Sequence, residues 1–269
     1  MVCRLLGVPR SSALYKAQPS RDLEPLSRVI LTNLVTFPDA GFRWMYMLLR
    51  RQRVACTRSE VRQLYVRLKL LGKRAGPRVR TTDSRHEHER YPNLVKGLLV
   101  VRPDQVWVVD TLEFKIGRKK VFLALVLDVF TRLILGFALS FSNDTLLTLE
   151  ALEMALAKGT PEIHHSDQGK TYASDLYTGR LLGLQVRISM AAAGCAWENG
   201  FAERLNRTLK DQEIRRSEYE TLKEARDAIA AYVKLYNEQR MHMSLGFLTP
   251  QEVKESYRKD SNPGNSSPQ

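Results

Sequence analysis

At 269 residues, 43% of them hydrophobic, the chain has room for one large domain or two small ones and the composition of a soluble globular protein. Its formal net charge of +13 is unevenly placed: residues 1–100 hold 20 Lys/Arg against 7 Asp/Glu, whereas residues 101–269 hold 22 of each, so the first hundred positions carry the whole excess. Three scattered cysteines (Cys3, Cys56, Cys195) exclude a disulfide framework and a zinc motif. With no visible secretory signal, and an apolar run at Val121–Leu127 that Asp128 ends far short of a membrane span, they point to a reducing cytoplasm and no membrane partner.

In chain order, residues 1–20 form an N-terminal helical segment: VCRLLGVPRSSALYK (2–16) reads as a short helix broken at Gly7 and Pro9, restarting at Ser11 or Ser12. Residues 21–71 read as a small all-α helix-turn-helix domain. Leu23, Leu26, Val29, Ile30 and Leu34 have helical spacing, and FRWMYMLLRRQ (42–52) presents a Trp/Met/Leu face. Thr57 and Glu60 have capping-box spacing for a helix to about Leu68, with Arg58, Arg62 and Arg67 on one side and Val61, Leu64, Tyr65 and Leu68 on the other. In so basic a region those arginines are candidates for DNA contact, the alternative being an ordinary amphipathic pair with solvated arginines. Residues 72–98, rich in charge, Gly and Pro, read as a basic linker, and His86 and His88 lack the cysteines of a zinc site.

Residues 99–218 read as a mixed α/β domain. QVWVVD (105–110) is a buried strand ending in an acid, followed by KVFLALVLDV (120–129), a tight turn at Phe130-Thr131, and RLILGFALS (132–140). Asn143 or Asp144 caps a helix over 144–158. PEIHHSD (161–167) is a short strand ending in an acid, SDLYTGRLLG (174–183) a helix stopped at Gly183, and QVRISM (185–190) a last strand. A small-residue loop leads to the helix of WENGFAERLNRTLKD (197–211), and a long helix from about Thr221 to Glu238 opens a C-terminal helical segment, 219–258. Residues 259–269 have the composition of a disordered tail.

Three acids fall on separate elements of this domain, each beside an apolar run: Asp110, Asp167 after 56 intervening residues, and Glu203 after a further 35. Carboxylates are the hard ligands that hold Mg²⁺, so such a trio is a plausible two-metal site. In the third helix Phe201, Leu205 and Leu209 form an apolar stripe, with Glu203 and Lys210 nearly opposite it, where a carboxylate and a cation can serve a metal and a phosphate side by side. Glu198 is the rival third acid, placed to complement the helix dipole. Taken singly, each acid has an ordinary role open to it: Asp110 as a strand-terminal cap, Asp167 as the start of a DQG turn, Glu203 with Lys210 as a solvated helix face. Asp128, at a strand end before a hairpin turn, reads as structural. His164 and His165 read as packing or phosphate-side residues, Gly169 as the residue that lets the chain turn after Asp167, and Tyr172 as core or substrate contact.

Together these pieces carry a resemblance. VWVVDTLEF (106–114), VLDVFTR (126–132), HHSDQGKTYAS (164–174), ENGFAERLNRTLK (198–210) and YNEQRMHMSLGFLTP (236–250) come in the order found in the D,D-35-E catalytic domain of the retroviral-integrase superfamily. The chain most resembles the second-frame product of two-frame bacterial insertion-sequence transposases, over roughly residues 40 to 255. It differs at AAAGCAWENG (191–200), where the family more often has a polar loop ending Asp-Asn-Ala.

The resemblance implies a ribonuclease-H-like fold, βββαβαβα, and an enzyme: a D,D-E polynucleotidyl transferase performing metal-dependent 3′-end cleavage and strand transfer at insertion-sequence ends. Asp110, Asp167 and Glu203 are then the catalytic and metal-binding acids for two Mg²⁺ ions, which Mn²⁺ can replace. Lys210 steadies a phosphate; Arg240 and His242, in the closing motif, contact DNA or a neighbouring subunit, or only cap the long helix. The implied partners are double-stranded DNA (element ends and target), further copies of the chain in a homo-oligomer, and an upstream-frame product, as a frameshift fusion or a separate chain. The implied setting is the bacterial nucleoid. Two other readings stand beside this one: a ribonuclease-H-like nuclease that cuts without joining, and a catalytically silent DNA-binding regulator derived from a transposase.

Overall fold

Eleven residues of β-strand at the centre of a five-stranded sheet organise the larger of two units in the computed structural model, which describes residues 21–71, 90–192 and 200–261. The units are Met1–Gly72 and Lys73–Gln269. The expectations for residues 1–20, His86, His88, Glu198 and the tail after Ser261 lie outside the described residues.

In the first unit, α1 (Glu24–Thr36), α2 (Phe42–Arg51) and α3 (Arg58–Arg67) bury one face each. Leu26 and Ile30 of α1, Trp44, Met45 and Leu49 of α2, and Val61, Leu64 and Tyr65 of α3 make up the buried set. The Tyr65 hydroxyl donates to the Ala40 carbonyl at 2.7 Å, satisfying its one polar atom in this interior. The capping box forms as its spacing predicts: Thr57 Oγ1 accepts from Glu60 N at 3.2 Å, and Glu60 Oε2 accepts from Thr57 N at 2.6 Å. Arg58 and Arg62 share an exposed face, but Arg67, nine residues after Arg58 and so half a turn away, does not. It reaches α1 instead, 3.6 Å from Glu24.

In the second unit the strands are β1 (Val106–Ile116), β2 (Lys119–Asp128), β3 (Ile134–Ser140), β4 (Ile163–Ser166) and β5 (Arg187–Met190), in the spatial order β3-β2-β1-β4-β5. β1, β2 and β3 are antiparallel, and β4 and β5 run parallel to β1. Between them come α4 (Thr145–Leu156), the short α5 (Lys170–Ala173) and α6 (Asp175–Leu182), followed after the sheet by α7 (Gly200–Leu209), α8 (Leu222–Glu238) and α9 (Pro250–Ser261). As far as α7, and apart from α5, this is the expected βββαβαβα order; α8 and α9 follow it.

Side-chain parity along β1 sorts the core into two layers. Val106, Val108, Leu112, Phe114 and Ile116 pack with Ala202, Leu205 and Leu209 of α7 and Ile229, Tyr232 and Tyr236 of α8. Trp107 and Val109 pack on the other face with Leu147, Ala151 and Leu152 of α4 and Tyr177 and Leu181 of α6. Asp110, even-numbered like Val108, therefore belongs to the α7 side.

Two close contacts lock the antiparallel edge. At Gly136 of β3 an added Cβ would lie 2.0 Å from the Ala151 carbonyl oxygen and 2.9 Å from Ala155 N, so only glycine lets α4 approach this far. On edge strand β3, Ile134 N donates to Asn237 Oδ1 at 2.9 Å and Asn237 Nδ2 donates to Ile134 O at 3.0 Å, so α8 supplies the strand with a side-chain partner. Of the two candidate caps for α4, Asp144 is the one used: its Oδ1 accepts from Leu147 N at 3.0 Å. Gly183 closes α6 as expected.

Several expectations are corrected. β1 does not end at Asp110 but runs six residues further, because Leu112, Phe114 and Ile116 stay buried while Glu113 and Lys115 face out, until Gly117 turns the chain at φ +56°. Phe201 is 44% exposed and leaves the α7 stripe, whose buried face is Ala202, Leu205, Asn206 and Leu209. Glu203 and Lys210 are accordingly half-buried and flank that face, rather than lying opposite it. Of the expected linker, Tyr91, Leu94 and Val95 pack on the sheet unit, with Leu94 N donating to Ser189 Oγ at 2.8 Å.

Candidate active site

The parallel pairing of β1 with β4 creates the site. Its register matches Val106 with Ile163 and Val108 with His165, and carried on by two residues it sets Asp110 beside Asp167. The ladder stops before that point, because β4 ends at Ser166. The two strands part where the acids stand, and α7 packs on the Asp110 side of the sheet beside this opening.

Asp110 is held on both oxygens: Oδ1 accepts from Thr111 N and Oδ2 accepts from Asn206 Nδ2, each at 2.8 Å. Burial pushes its carboxyl up to about 7 from 3.8, and the charges of Asp167 and Glu203 push the same way, against the Thr111 N–H bond and Lys210. Thus Asp167, Glu203 and Lys210 all act on one carboxylate, from the end of β4 and from both ends of α7. Asp167 Oδ1 accepts from Gly169 N at 2.9 Å. Gly169 has an ordinary φ of −68°, so its value is room rather than turning: an added Cβ would lie 2.9 Å from Asp167 Oδ1.

Several polar groups around the acids pair with one another. Tyr172, a core residue 4% exposed, shares a hydrogen bond with Thr111 Oγ1 at 2.8 Å. His164 Nε2 pairs with the Tyr177 hydroxyl at 3.0 Å and His165 Nδ1 with Ser189 Oγ at 2.9 Å, so both histidines pack beneath the site. Asp128 is structural: its oxygens accept from Asp104 N at 2.8 Å and from Thr131 N and Oγ1 at 2.6 Å, tying the β2–β3 turn.

Lys210 opens a π-helical turn, Lys210–Ile214, at the end of α7. Gln212 within it accepts from the Tyr232 hydroxyl at 2.6 Å, which fastens the wider turn to α8. Asn206 is the site residue that the sequence reading missed. Its signal is spacing: Glu203, Asn206 and Lys210 are i, i+3 and i+7, one face of one helix.

The donor set fits a divalent cation. Asp167 and Glu203 both act on the Asp110 carboxyl, with Lys210 opposing them, and a hard dication would relieve the repulsion that raises Asp110. Among the described residues no group of three His, Cys, Asp or Glu is closed up enough to hold a metal as it stands.

The remaining candidates lie elsewhere. In the first unit Arg58 and Arg62 line a surface notch with Phe42, Arg43 and Ser59, and the guanidinium carbons of Arg43 and Arg58 each lie 5.8 Å from the Phe42 ring centroid. In the second unit Arg240 and His242 are half-buried after α8, His242 with its ring 5.0 Å from that of Tyr236. Among the described residues no helix is long and apolar enough to cross a membrane.

Comparison with known proteins shows the family and the fold. The integrase core domain family is matched over residues 100–196 and again over 184–250. The transposase for insertion sequence element IS629 of Shigella sonnei is 32% identical over 219 residues, covering 81% of this chain and 74% of the relative. The putative transposase for IS986/IS6110 of Mycobacterium tuberculosis is 27% identical over 244 residues, 87% of each chain. Among solved structures, the simian T-cell lymphotropic virus intasome has the same fold, with a TM-score of 0.53 at 17% identity over 84% of this chain and 74% of that one. With its sheet order, its acids at the β1–β4 parting and a relative this similar over most of its length, the chain belongs to the insertion-sequence transposases of the retroviral-integrase superfamily.

Proposed function

We propose that this transposase cuts and joins double-stranded DNA at Asp110, Asp167 and Glu203, and the observation that carries the reading is that the other two acids both act on the Asp110 carboxyl. These carboxylates would hold two Mg²⁺ or Mn²⁺ ions, which supply the positive charge that activates an attacking oxygen and stabilises a departing one. Asn206 and Thr111 N orient Asp110 so that its oxygens need no reorganisation, and Gly169 N does the same for Asp167. Lys210 offsets phosphate charge on the side of α7 that carries Glu203.

In the first step a water oxygen bonds to phosphorus as the bond to the 3′ oxygen breaks, leaving a 3′-OH and a 5′-phosphate. In the second step that 3′-OH bonds to a target phosphorus and displaces another 3′ oxygen, which takes up the proton. One bond forms and one breaks each time, so no covalent enzyme intermediate is required. Arg58 and Arg62 give the first unit a duplex-facing surface, from which Arg67, turned toward Glu24, is left out. Two copies of the chain pair the two ends, and the upstream-frame product joins as a fusion or a separate chain.

The test is an oligonucleotide joining assay with labelled element ends, a plasmid target and Mg²⁺ or Mn²⁺. Metal-dependent joined products that disappear in Asp167→Asn are expected. Cleavage without joining would assign a nuclease, and duplex binding with neither reaction would assign a regulator.

A further inference from the structure

Where the β1–β4 ladder ends, a side chain spans the parting. The last pair of that ladder is Val108 with His165, and β4 ends at Ser166. Asp110 and Thr111 keep β2 as a backbone partner, opposite Leu125 and Ala124, but their other edge faces the parting. Two carboxylates set beside one another there repel, which tends to widen it.

Tyr172 lies across this opening. It stands in α5, five residues after Asp167, and is buried. One end of it belongs to the turn of Asp167: Tyr172 N donates to Gly169 O at 3.0 Å, and Gly169 N donates to Asp167 Oδ1 at 2.9 Å. Its ring meets that of Tyr177 edge to face, with centroids 5.5 Å apart, and the Tyr177 hydroxyl pairs with His164 Nε2 of β4 at 3.0 Å. Its other end reaches β1, where the hydroxyl shares a hydrogen bond with Thr111 Oγ1 at 2.8 Å.

Side-chain parity makes this a grip from the face opposite α7. Thr111, odd-numbered like Trp107 and Val109, turns its side chain toward the layer that holds Tyr172 and Tyr177. Asp110 turns the other way, where Asn206 Nδ2 donates to its Oδ2, while Thr111 N donates to its Oδ1. The carboxylate is therefore oriented from the α7 side, and the strand segment that bears it is held from the other.

We propose that Tyr172 is a positioning residue for the metal site: its hydroxyl ties Thr111, and with it Asp110, to the turn that carries Asp167, and so fixes how far apart the two carboxylates stand. The inference rests on the reading above that these acids hold divalent ions. A dication shared by ligands from two strands binds best when their separation is already set, and partners that orient metal ligands typically carry about 10–100-fold of the affinity.

The experiment is calorimetry of Mn²⁺ binding to the full chain, beside urea midpoints in EDTA, for wild type, Tyr172→Phe, Thr111→Val and the double variant. Each single substitution leaves one hydroxyl without its partner and should lower the urea midpoint, whereas the double removes both hydroxyls and should recover most of that loss. Mn²⁺ affinity is expected to fall about 10-fold in each single variant and to stay as low in the double. Thr111→Ser, which keeps the hydroxyl, should bind Mn²⁺ like wild type. Affinity that recovers together with the midpoint in the double would mean that the bond serves stability alone and would overturn the positioning role, as would single variants that bind like wild type. A wild type that binds no Mn²⁺ would instead overturn the metal-dependent function on which the inference rests.

Discussion

Replacing Asp110 by Asn should make the metal-free protein more stable, even as it removes one of the proposed catalytic acids. The unfolded chain releases the Asp110 proton near 3.8 and the native chain near 7. The native state therefore binds the proton more tightly, and the stability this gives is complete below about pH 4 and lost as pH rises through about 7. At ~1.36 kcal/mol per unit the loss is about 4 kcal/mol; Asp110 retains some solvent contact, so roughly 2–4 kcal/mol is the working figure. Asparagine has the same shape and no charge to bury. Nor need it forfeit a hydrogen bond: Asn206 Oδ1 is buried with no partner among the described residues, and a flip of that amide would let it accept from the new side-chain N–H while Thr111 N keeps its acceptor. The assay is urea denaturation in EDTA at pH 5 and pH 8 in a Trp44→Phe background, which leaves Trp107 and Trp197 as reporters in the sheet unit. Asp110→Asn should gain about 2–4 kcal/mol at pH 8 and much less at pH 5. Equal or lower stability at pH 8 would refute the argument that burial and neighbouring acids strain this carboxylate.

Other substitutions test the scaffold and the proposed metal site. Gly136→Ala drives a methyl into the Ala151 carbonyl and should cost about 3 kcal/mol or more, at the upper end of overpacking, read as a fall in the urea midpoint. Asn237→Ala strips Ile134 of both side-chain partners and should cost about 1–3 kcal/mol. A loss of only a few tenths would mean that water replaces Asn237 on the edge strand. Gly169→Ala crowds Asp167 but meets the core residue Tyr172 only at an ordinary contact distance of 3.6 Å, so calorimetry should find Mn²⁺ binding weakened about 10-fold with the urea midpoint nearly unchanged.

Much of this was legible in the residues. The apolar runs of β2, β3 and β4, the Thr57/Glu60 box and the cap at Asp144 are local signals, and local physics realised them. The acids were legible because each follows an apolar run that becomes a central strand or a docked helix. What was not legible depends on tertiary contact. Phe201 looked like core by spacing and instead supports Arg132, a residue 69 positions earlier. Asn206 looked like an ordinary helix residue until Asp110 came within reach. Asn237 belongs to a stretch that attracts functional readings, yet its side chain completes a strand edge. α9 was not set apart within the expected C-terminal helical segment, although Thr249 and Glu252 carry a capping box with Pro250 between them, with Thr249 N donating to Glu252 Oε2 at 2.8 Å and Glu252 N to Thr249 Oγ1 at 3.2 Å.

The most direct test of the account is the joining assay applied to four single substitutions: Asp110→Asn, Asp167→Asn, Glu203→Gln and Glu198→Gln. The first three should keep duplex binding and lose joining by at least about 10²-fold, the loss expected when several kcal/mol of transition-state stabilisation are removed. Glu198→Gln should join nearly as well as wild type. Joining that survives Glu203→Gln, or fails only with Glu198→Gln, would contradict the assignment of the third acid to α7's half-buried face beside Asn206.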